Sequence, residues 1–287
     1  MSSLEPRFVE ANGLRFAYIE DAPAAAAGDR KRPKCVVMVH GFPDTAHTWD
    51  QVRPTIAALG FRVVTPFTRG YAPTEIPREE DFGVETLARD LLALLDALGE
   101  EEAILVGHDW GASACLSAAT LAPARVRLLA MVAIPHPASI TPTPSLAWTV
   151  RHFFTLSRRG AAARIRAGDM AHIDELVKRW SPAWDVPPGE TDAVKAAFRQ
   201  PGCLEAALGY YRGITLRLPR SQRTRVKVPA VGFAGTDDII HPDAYEKARS
   251  WYANGYEVVR MPGGHFMHRE HPERFATELA RVLEPYR

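Results

Sequence analysis

Cysteine is scarce: Cys35, Cys115 and Cys203 are the only three in 287 residues, far apart and without metal-ligand spacing. A thiolate metal centre is therefore not expected, and each cysteine reads as a small buried hydrophobe in a chain whose default setting is the cytoplasm. Net charge is nearly absent, with 35 Lys and Arg against 34 Asp and Glu. That balance argues against a nucleic-acid binder or a protein that coats polyanions. No apolar run approaches the roughly 18 residues a membrane-spanning helix needs. The start, "MSSLEPRFVEANGLRF", has no basic flank leading into an apolar run, so no signal peptide is expected. Internal repeats are missing, and the short Ala run at 24–27 is the only low-complexity stretch. What is present is an ordinary globular composition, 46% hydrophobic and 24% charged, enough for one large domain with an inserted subdomain.

Two short strands joined at Asn12-Gly13 open the chain, a strong hairpin signal. The continuous apolar run "CVVMVH" (35–40) reads as a parallel strand buried on both faces. A helix around Thr48–Leu59, interrupted by Pro54, and the strand "FRVVTPF" follow. "GVETLARDLLALLDALG" (83–99) has helical apolar spacing and a closing Gly99. "EAILVGHD" is a strand, "GASACLSAATLAP" a small-residue helix able to pack close to a sheet, and "RLLAMVAIP" (127–135) another buried strand. This rhythm predicts a parallel sheet with crossover helices. From about Ser139 to Val226 the strand-like runs stop, and helical stretches with many Arg and Pro take over. Alternation returns with "VPAVGFAG" (228–235), a helix near Asp243–Asn254, the strand "YEVVRMPG" and a last helix near Pro272–Leu283. The expected organisation is an α/β core over 1–138 and 227–287, with a helical insertion over 139–226.

The chemistry centres on Gly107-His108-Asp109-Trp110-Gly111. A strand, a sharp turn carrying a nucleophile and a small-residue helix form a nucleophile elbow. The glycines two before and two after are needed because side chains there would collide with the turn. Many hydrolases place serine at the centre, but here it is Asp109. A carboxylate with an ordinary pKa near ~3.9 is ionised at neutral pH and attacks without a base. It suits a saturated carbon with a good leaving group and leaves an ester. The helix N-terminus behind it favours the negative charge. The acid and base should follow in that order. "FAGTDDIIH" offers Asp237 and Asp238, and "MPGGHFMH" offers His265, both where strand ends meet loops. His265 would then activate the water that cuts the ester. The backbone amides of Trp110 and of Phe42, in "HGFPDTAHTW", are the expected donors to the developing oxyanion.

Together "HGFP", "RGYAPTE", "GHDWGA", "AIPHPAS", "GTDD" and "GGHFMHREHPE" resemble the epoxide hydrolase group of the α/β-hydrolase fold. The resemblance is best in the core on both sides of the insertion. It implies a mostly parallel twisted sheet with helices on both faces and an α-helical cap whose tyrosines protonate the epoxide oxygen. "ALGYYRGI" (207–214) resembles the cap motif in which Tyr precedes Arg, giving that role to Tyr211, with Tyr210 beside it. A phenol suits an oxygen that is becoming an alkoxide. Relatives place the acid three residues after the strand-end glycine, here Gly235, which favours Asp238 over Asp237. They also turn sharply at Phe42-Pro43, so a cis bond is expected there. His40 is given a structural role near the oxyanion loop. The sequence departs from the group in two places. "AWTVRHFFTLS" has Phe153 and Phe154 where many relatives carry a second tyrosine, and Ala72 stands where glycine is usual.

The resemblance implies epoxide opening to a diol through an ester on Asp109. The substrate would be a small hydrophobic epoxide that meets water in a pocket bordered by Phe42, Trp110, Phe153 and Tyr210. No cofactor, metal, nucleic acid or membrane span is implied. "HREH" (268–271) reads as exposed, solvated residues rather than ligands. The basic runs "RHFFTLSRRGAAARIR" and "RLPRSQRTRVK" read as a solvated face or as partners of core carboxylates. Two other functions stay open. A dehalogenase would use the same carboxylate, although Phe42 has no side-chain donor where haloalkane enzymes commonly carry Asn. A non-catalytic binding protein on the same fold would keep the pocket only.

Overall fold

The computed structural model describes residues 5–22, 33–141, 148, 151–215 and 217–287. The Ala run at 24–27 lies outside them. Strands β1 (Arg7–Ala11) and β2 (Leu14–Asp21) pair antiparallel with Ala11 opposite Leu14. Asn12 and Gly13 supply the two positive φ values, 46° and 76°, that the tight two-residue hairpin requires.

Six further strands follow: β3 (Cys35–Val39), β4 (Arg62–Pro66), β5 (Ala103–His108), β6 (Val126–Val132), β7 (Ala230–Gly235) and β8 (Tyr256–Met261). The sheet order is β1-β2-β4-β3-β5-β6-β7-β8, and every pair from β4 to β8 is parallel. β3 is apolar throughout because both of its faces are covered. Val37 and Val39 join one core and Val36 and Met38 the other, each worth about 1.5–3 kcal/mol of burial. On the first of these faces lie α2 (Val84–Ala97), which buries Leu87, Ala88, Leu91, Leu94 and Leu95, and α3 (Trp110–Leu121). The small side chains of α3 let almost its whole first three turns be buried.

The expected helix over Thr48–Leu59 is two pieces. A 3₁₀ turn covers Ala46–Trp49, and α1 covers Arg53–Ala58. Pro54 sits in the first turn of α1, where its missing N–H costs nothing, so it begins the helix rather than interrupting it.

Between β6 and β7 the described residues form no strand. They form α4 (His152–Ser157), α5 (Ala161–Arg166), α6 (Ala171–Trp180), α7 (Asp192–Arg199) and α8 (Cys203–Arg212). After β7 come α9 (Asp243–Lys247), then α10 (Met267–Glu270) and α11 (Pro272–Leu283) beyond β8. One buried ion pair helps seat α8. Arg69 grips Asp90 of α2 with two bonds of 2.6 Å, Asn12 of the hairpin donates to the same carboxylate, and the Arg69 carbonyl accepts from Tyr210 of α8 at 2.7 Å.

The strand order reverses between β3 and β5, and ligand crevices of open α/β sheets form at such a point, beyond the carboxyl ends of the strands. β3 runs into His40-Gly41-Phe42 there, and β5 into Asp109. β7 and β8 bring Asp238 and His265 to the same edge.

Candidate active site

Asp109 caps α3 with φ 51° and ψ −118°, a conformation that L residues rarely adopt. The turn survives because its flanks have no side chains. A Cβ on Gly107 would lie 2.4 Å from the Gly111 carbonyl oxygen, and one on Gly111 would lie 2.3 Å from that of Val39. The strain lifts the Asp109 carboxylate into the crevice. Oδ1 accepts the Phe42 amide at 2.9 Å, and Oδ2 faces Nε2 of His265 at 3.6 Å. Phe42-Pro43 is cis, and so is Ala72-Pro73. Asp44 donates its amide to the Gly41 carbonyl at 3.2 Å, closing the turn that aims the Phe42 N–H.

His40 keeps this turn in place. The Thr68 amide donates to its Nε2 at 3.0 Å, so the ring proton sits on Nδ1 and is given to the Gly41 carbonyl at 2.9 Å. Burial pushes its pKa down to about 4, and it stays neutral.

His265 is buried and fixed from four sides. Nδ1 meets Asp238 Oδ1 at 3.3 Å. Its backbone N–H donates to the Trp180 carbonyl at the end of α6 at 2.9 Å. Its own carbonyl accepts from His108 Nε2 at 3.0 Å, and the Trp180 ring stands edge-on at 5.3 Å. Asp238 has a fully buried carboxylate, whereas Asp237 is exposed and accepts only from the neighbouring Thr236 hydroxyl. Of the two aspartates, Asp238 is the one placed against His265. Burial alone would depress the imidazole, but Asp238 and Asp109 on its two sides outweigh it and raise its pKa to about 10. Burial would raise Asp109, yet His265, His108 and the Phe42 amide hold its carboxyl below the usual range. Asp238 shifts the other way, because burial there exceeds the help from His265 and the Ile239 and Ile240 amides.

Tyr211 of α8 closes the crevice. Its ring meets those of Phe42 at 5.2 Å and Trp110 at 5.4 Å, both edge-on, and that of Phe153 at 5.5 Å. Burial first, and the Asp109 charge second, raise its pKa well above the ordinary phenol range, so the phenol stays protonated. Tyr210 points elsewhere. Its hydroxyl is bonded to the Arg69 carbonyl and to Thr68, and its ring lies behind Trp110 at 5.7 Å. Trp110 is therefore held between the two tyrosines, with its backbone opening α3 directly behind Asp109.

Sequence reading missed several neighbours. His152, one position before Phe153, is the buried polar member of α4, 6.2 Å from the Tyr211 ring and 4.7 Å from that of Trp180. Phe153 is partly exposed and Phe154 mostly so. Nothing in "RHFFT" separates buried from exposed on one short turn of helix. Trp180 carried no motif at all. The reading of "HREH" needs correction. His268 is wholly buried, bonded to Thr48 at 2.6 Å and packed between Trp49 and His108, because its short helix turns inward beneath the His265 loop. Arg269 and Glu270 are likewise bound within the protein. Among the described residues no group of three or more His, Cys, Asp or Glu is placed to hold a metal ion. Nor is any described helix long and apolar enough to cross a membrane. All three cysteines are buried, and Cys203 accepts the Ala72 amide at 3.3 Å.

Comparison with known proteins bears on the family and the fold. Epoxide hydrolase A of Mycobacterium tuberculosis is 28% identical over 325 aligned positions, covering 99% of this chain and 98% of the relative. The AB hydrolase superfamily protein YfhM of Bacillus subtilis is 26% identical and covers 95% of each chain. An epoxide hydrolase of Bacillus megaterium, crystallised with an inhibitor, superposes with a TM-score of 0.84 at 19% identity over 97% of this chain and all of that one. That last likeness concerns the fold alone. The sequence pattern of the alpha/beta hydrolase fold matches residues 34–272, most of the chain and both sides of the helical segment. The chain belongs to the α/β-hydrolase fold family, with named epoxide hydrolases among its full-length relatives.

Proposed function

We propose that the protein is an epoxide hydrolase that opens an epoxide to a vicinal diol through an ester on Asp109. One observation carries this reading. An ionised carboxylate, not a hydroxyl, occupies the elbow, with one oxygen on the Phe42 amide and the other facing His265. The epoxide-hydrolase names among its relatives support the substrate class. Residues 139–226 act as the cap, and residues 1–138 and 227–287 as the core that carries Asp109, Asp238 and His265.

In the first half Oδ2 attacks a ring carbon, the C–O bond breaks, and Tyr211 gives its proton to the departing oxygen. Oδ1 stays in the amide donors as the ester carbonyl oxygen. Alkylation removes the Asp109 charge, one of the two charges that hold His265 protonated. The imidazolium gives up its proton, which restores the Tyr211 phenol, and so becomes a competent base for the second half. It takes a proton from water, and hydroxide attacks the ester carbonyl carbon. The oxyanion is met by the Phe42 amide, already on Asp109 Oδ1, and by the Trp110 amide, worth about 10²–10³-fold each. Collapse releases the diol. The leaving alkoxide takes the proton that His265 drew from water, and the proton of the regenerated carboxyl returns to the imidazole, so water and epoxide are consumed one to one. Asp238 keeps the imidazole oriented and balances the imidazolium.

His265→Gln should form the ester but fail to hydrolyse it, so intact mass should rise by the mass of a styrene-oxide-type substrate, localised to Asp109. An unmodified mass with a substrate the wild type turns over rules the covalent route out. Halide release from a haloalkane panel without diol formation would assign the same carboxylate to dehalogenation.

A further inference from the structure

Arg269 is a buried cation that this mechanism does not use. It lies on α10, four residues after His265, with about a tenth of its side chain exposed. Nη1 donates to Asp44 Oδ2 at 2.7 Å, and Asp44 follows Phe42 by two residues in the turn that aims the Phe42 amide. Nε donates to Glu190 Oε1 at 2.8 Å, and Nη2 to the Glu190 backbone carbonyl, both in the helical segment between β6 and β7. The next residue, Glu270, accepts the Gly264 amide at 2.8 Å and so steadies the His265 loop from the same short helix. One guanidinium thus joins the oxyanion turn to the helical segment, from a short helix whose next residue steadies the base loop.

We propose that Arg269 is a positioning residue, a latch whose Asp44 arm holds the Phe42 turn and whose Glu190 arm holds the connection between α6 and α7 against the core. Its effect on turnover rests on the epoxide hydrolase reading, but the latch itself does not. Only arginine can fill the site. Its planar fork serves two partners in two directions, whereas a lysine ammonium is a single point of charge. The two carboxylates are mostly buried, so removing the cation leaves both uncompensated, and loosening is expected rather than silent loss of one contact. A cleft of about 190 Å³ lies beside Arg269, bordered by Asp44, His47, Asp50 and Glu190, which gives the Glu190 arm room to swing out.

The two arms can be separated. In Asp44→Asn, amide hydrogen exchange should quicken over Gly41–Trp49 and stay unchanged over residues 186–194. Glu190→Gln should show the reverse, and Arg269→Leu both. Arg269→Lys, which keeps the charge and guards against a folding failure, should resemble Arg269→Leu in direction. With styrene oxide as probe, Asp44→Asn should lower kcat at least tenfold with little change in KM. Glu190→Gln should raise KM several-fold with little change in kcat. Unchanged exchange at both segments in Arg269→Lys and Arg269→Leu overturns the latch. So does equal disturbance of both segments by either single-arm variant. If exchange follows the predicted split while the wild type forms no diol, the latch stands and the epoxide reading fails.

Discussion

Asp238 Oδ1 lies 3.3 Å from His265 Nδ1, while Asp237, its immediate neighbour, is exposed and accepts from the Thr236 hydroxyl. A sharp test follows from two isosteric changes one residue apart. Asp238→Asn should cost on the order of 10⁴ in kcat, the scale seen when the orienting carboxylate of a comparable triad is neutralised. Asp237→Asn should leave steady-state rates within about twofold. Equal losses in both would show that the loop, rather than the Asp238 carboxylate, matters.

Tyr211→Phe keeps the ring contacts with Phe42 and Trp110 and removes only the hydroxyl. Epoxide opening should slow by about 10²–10³-fold, the scale of one lost donor to a developing oxyanion. Rapid-quench analysis should show the loss in ester formation, with ester hydrolysis nearly unchanged. Tyr210→Phe frees the Arg69 carbonyl from its bond, so it should lower stability more than it slows ring opening. A slower hydrolysis step in Tyr211→Phe would contradict its assigned role.

Stability should fall on mild acidification. Burial holds His40 at about 4, His108 at about 3 and His136 at about 4, and drives His268 well down. Unfolded, each titrates near ~6.5, so the unfolded chain binds more protons below that pH. The stabilisation is whole above ~6.5 and drains away as pH falls toward 4. His265 has the opposite sign. Its raised value, about 10, gives stability that is whole below ~6.5 and is lost as pH rises through 10. Urea midpoints should therefore drop between pH 7 and pH 5, a range in which ordinary carboxylates remain ionised. A flat profile there would contradict the buried neutral imidazoles.

Much of the core was legible because its signals are local. Apolar runs mark strands buried on both faces, Asn12-Gly13 marks its turn, and Gly107 and Gly111 mark an elbow where any side chain would collide. Asp109, Asp238 and His265 follow strands whose ends the topology gathers, so their meeting could be anticipated from order alone. Pro54 misled because a proline at a helix start and one inside a helix look alike in sequence. His268 misled because polar letters after a glycine loop suggest exposure, and burial beneath Trp49 and His108 depends on contacts far along the chain. The helical segment was least legible. Whether His152 or Phe153 faces Tyr211, and that Trp180 holds His265, are matters of long-range packing that helical periodicity does not encode.

The most direct measurement is a single turnover in heavy-oxygen water with enzyme in excess over epoxide. The account predicts a diol free of solvent oxygen in that first round, because its new oxygen comes from the Asp109 carboxylate, and one heavy oxygen left in the peptide that carries Asp109. Heavy oxygen in the first-round diol, with none in that peptide, would mean that water attacks the epoxide directly and that Asp109 is not the nucleophile.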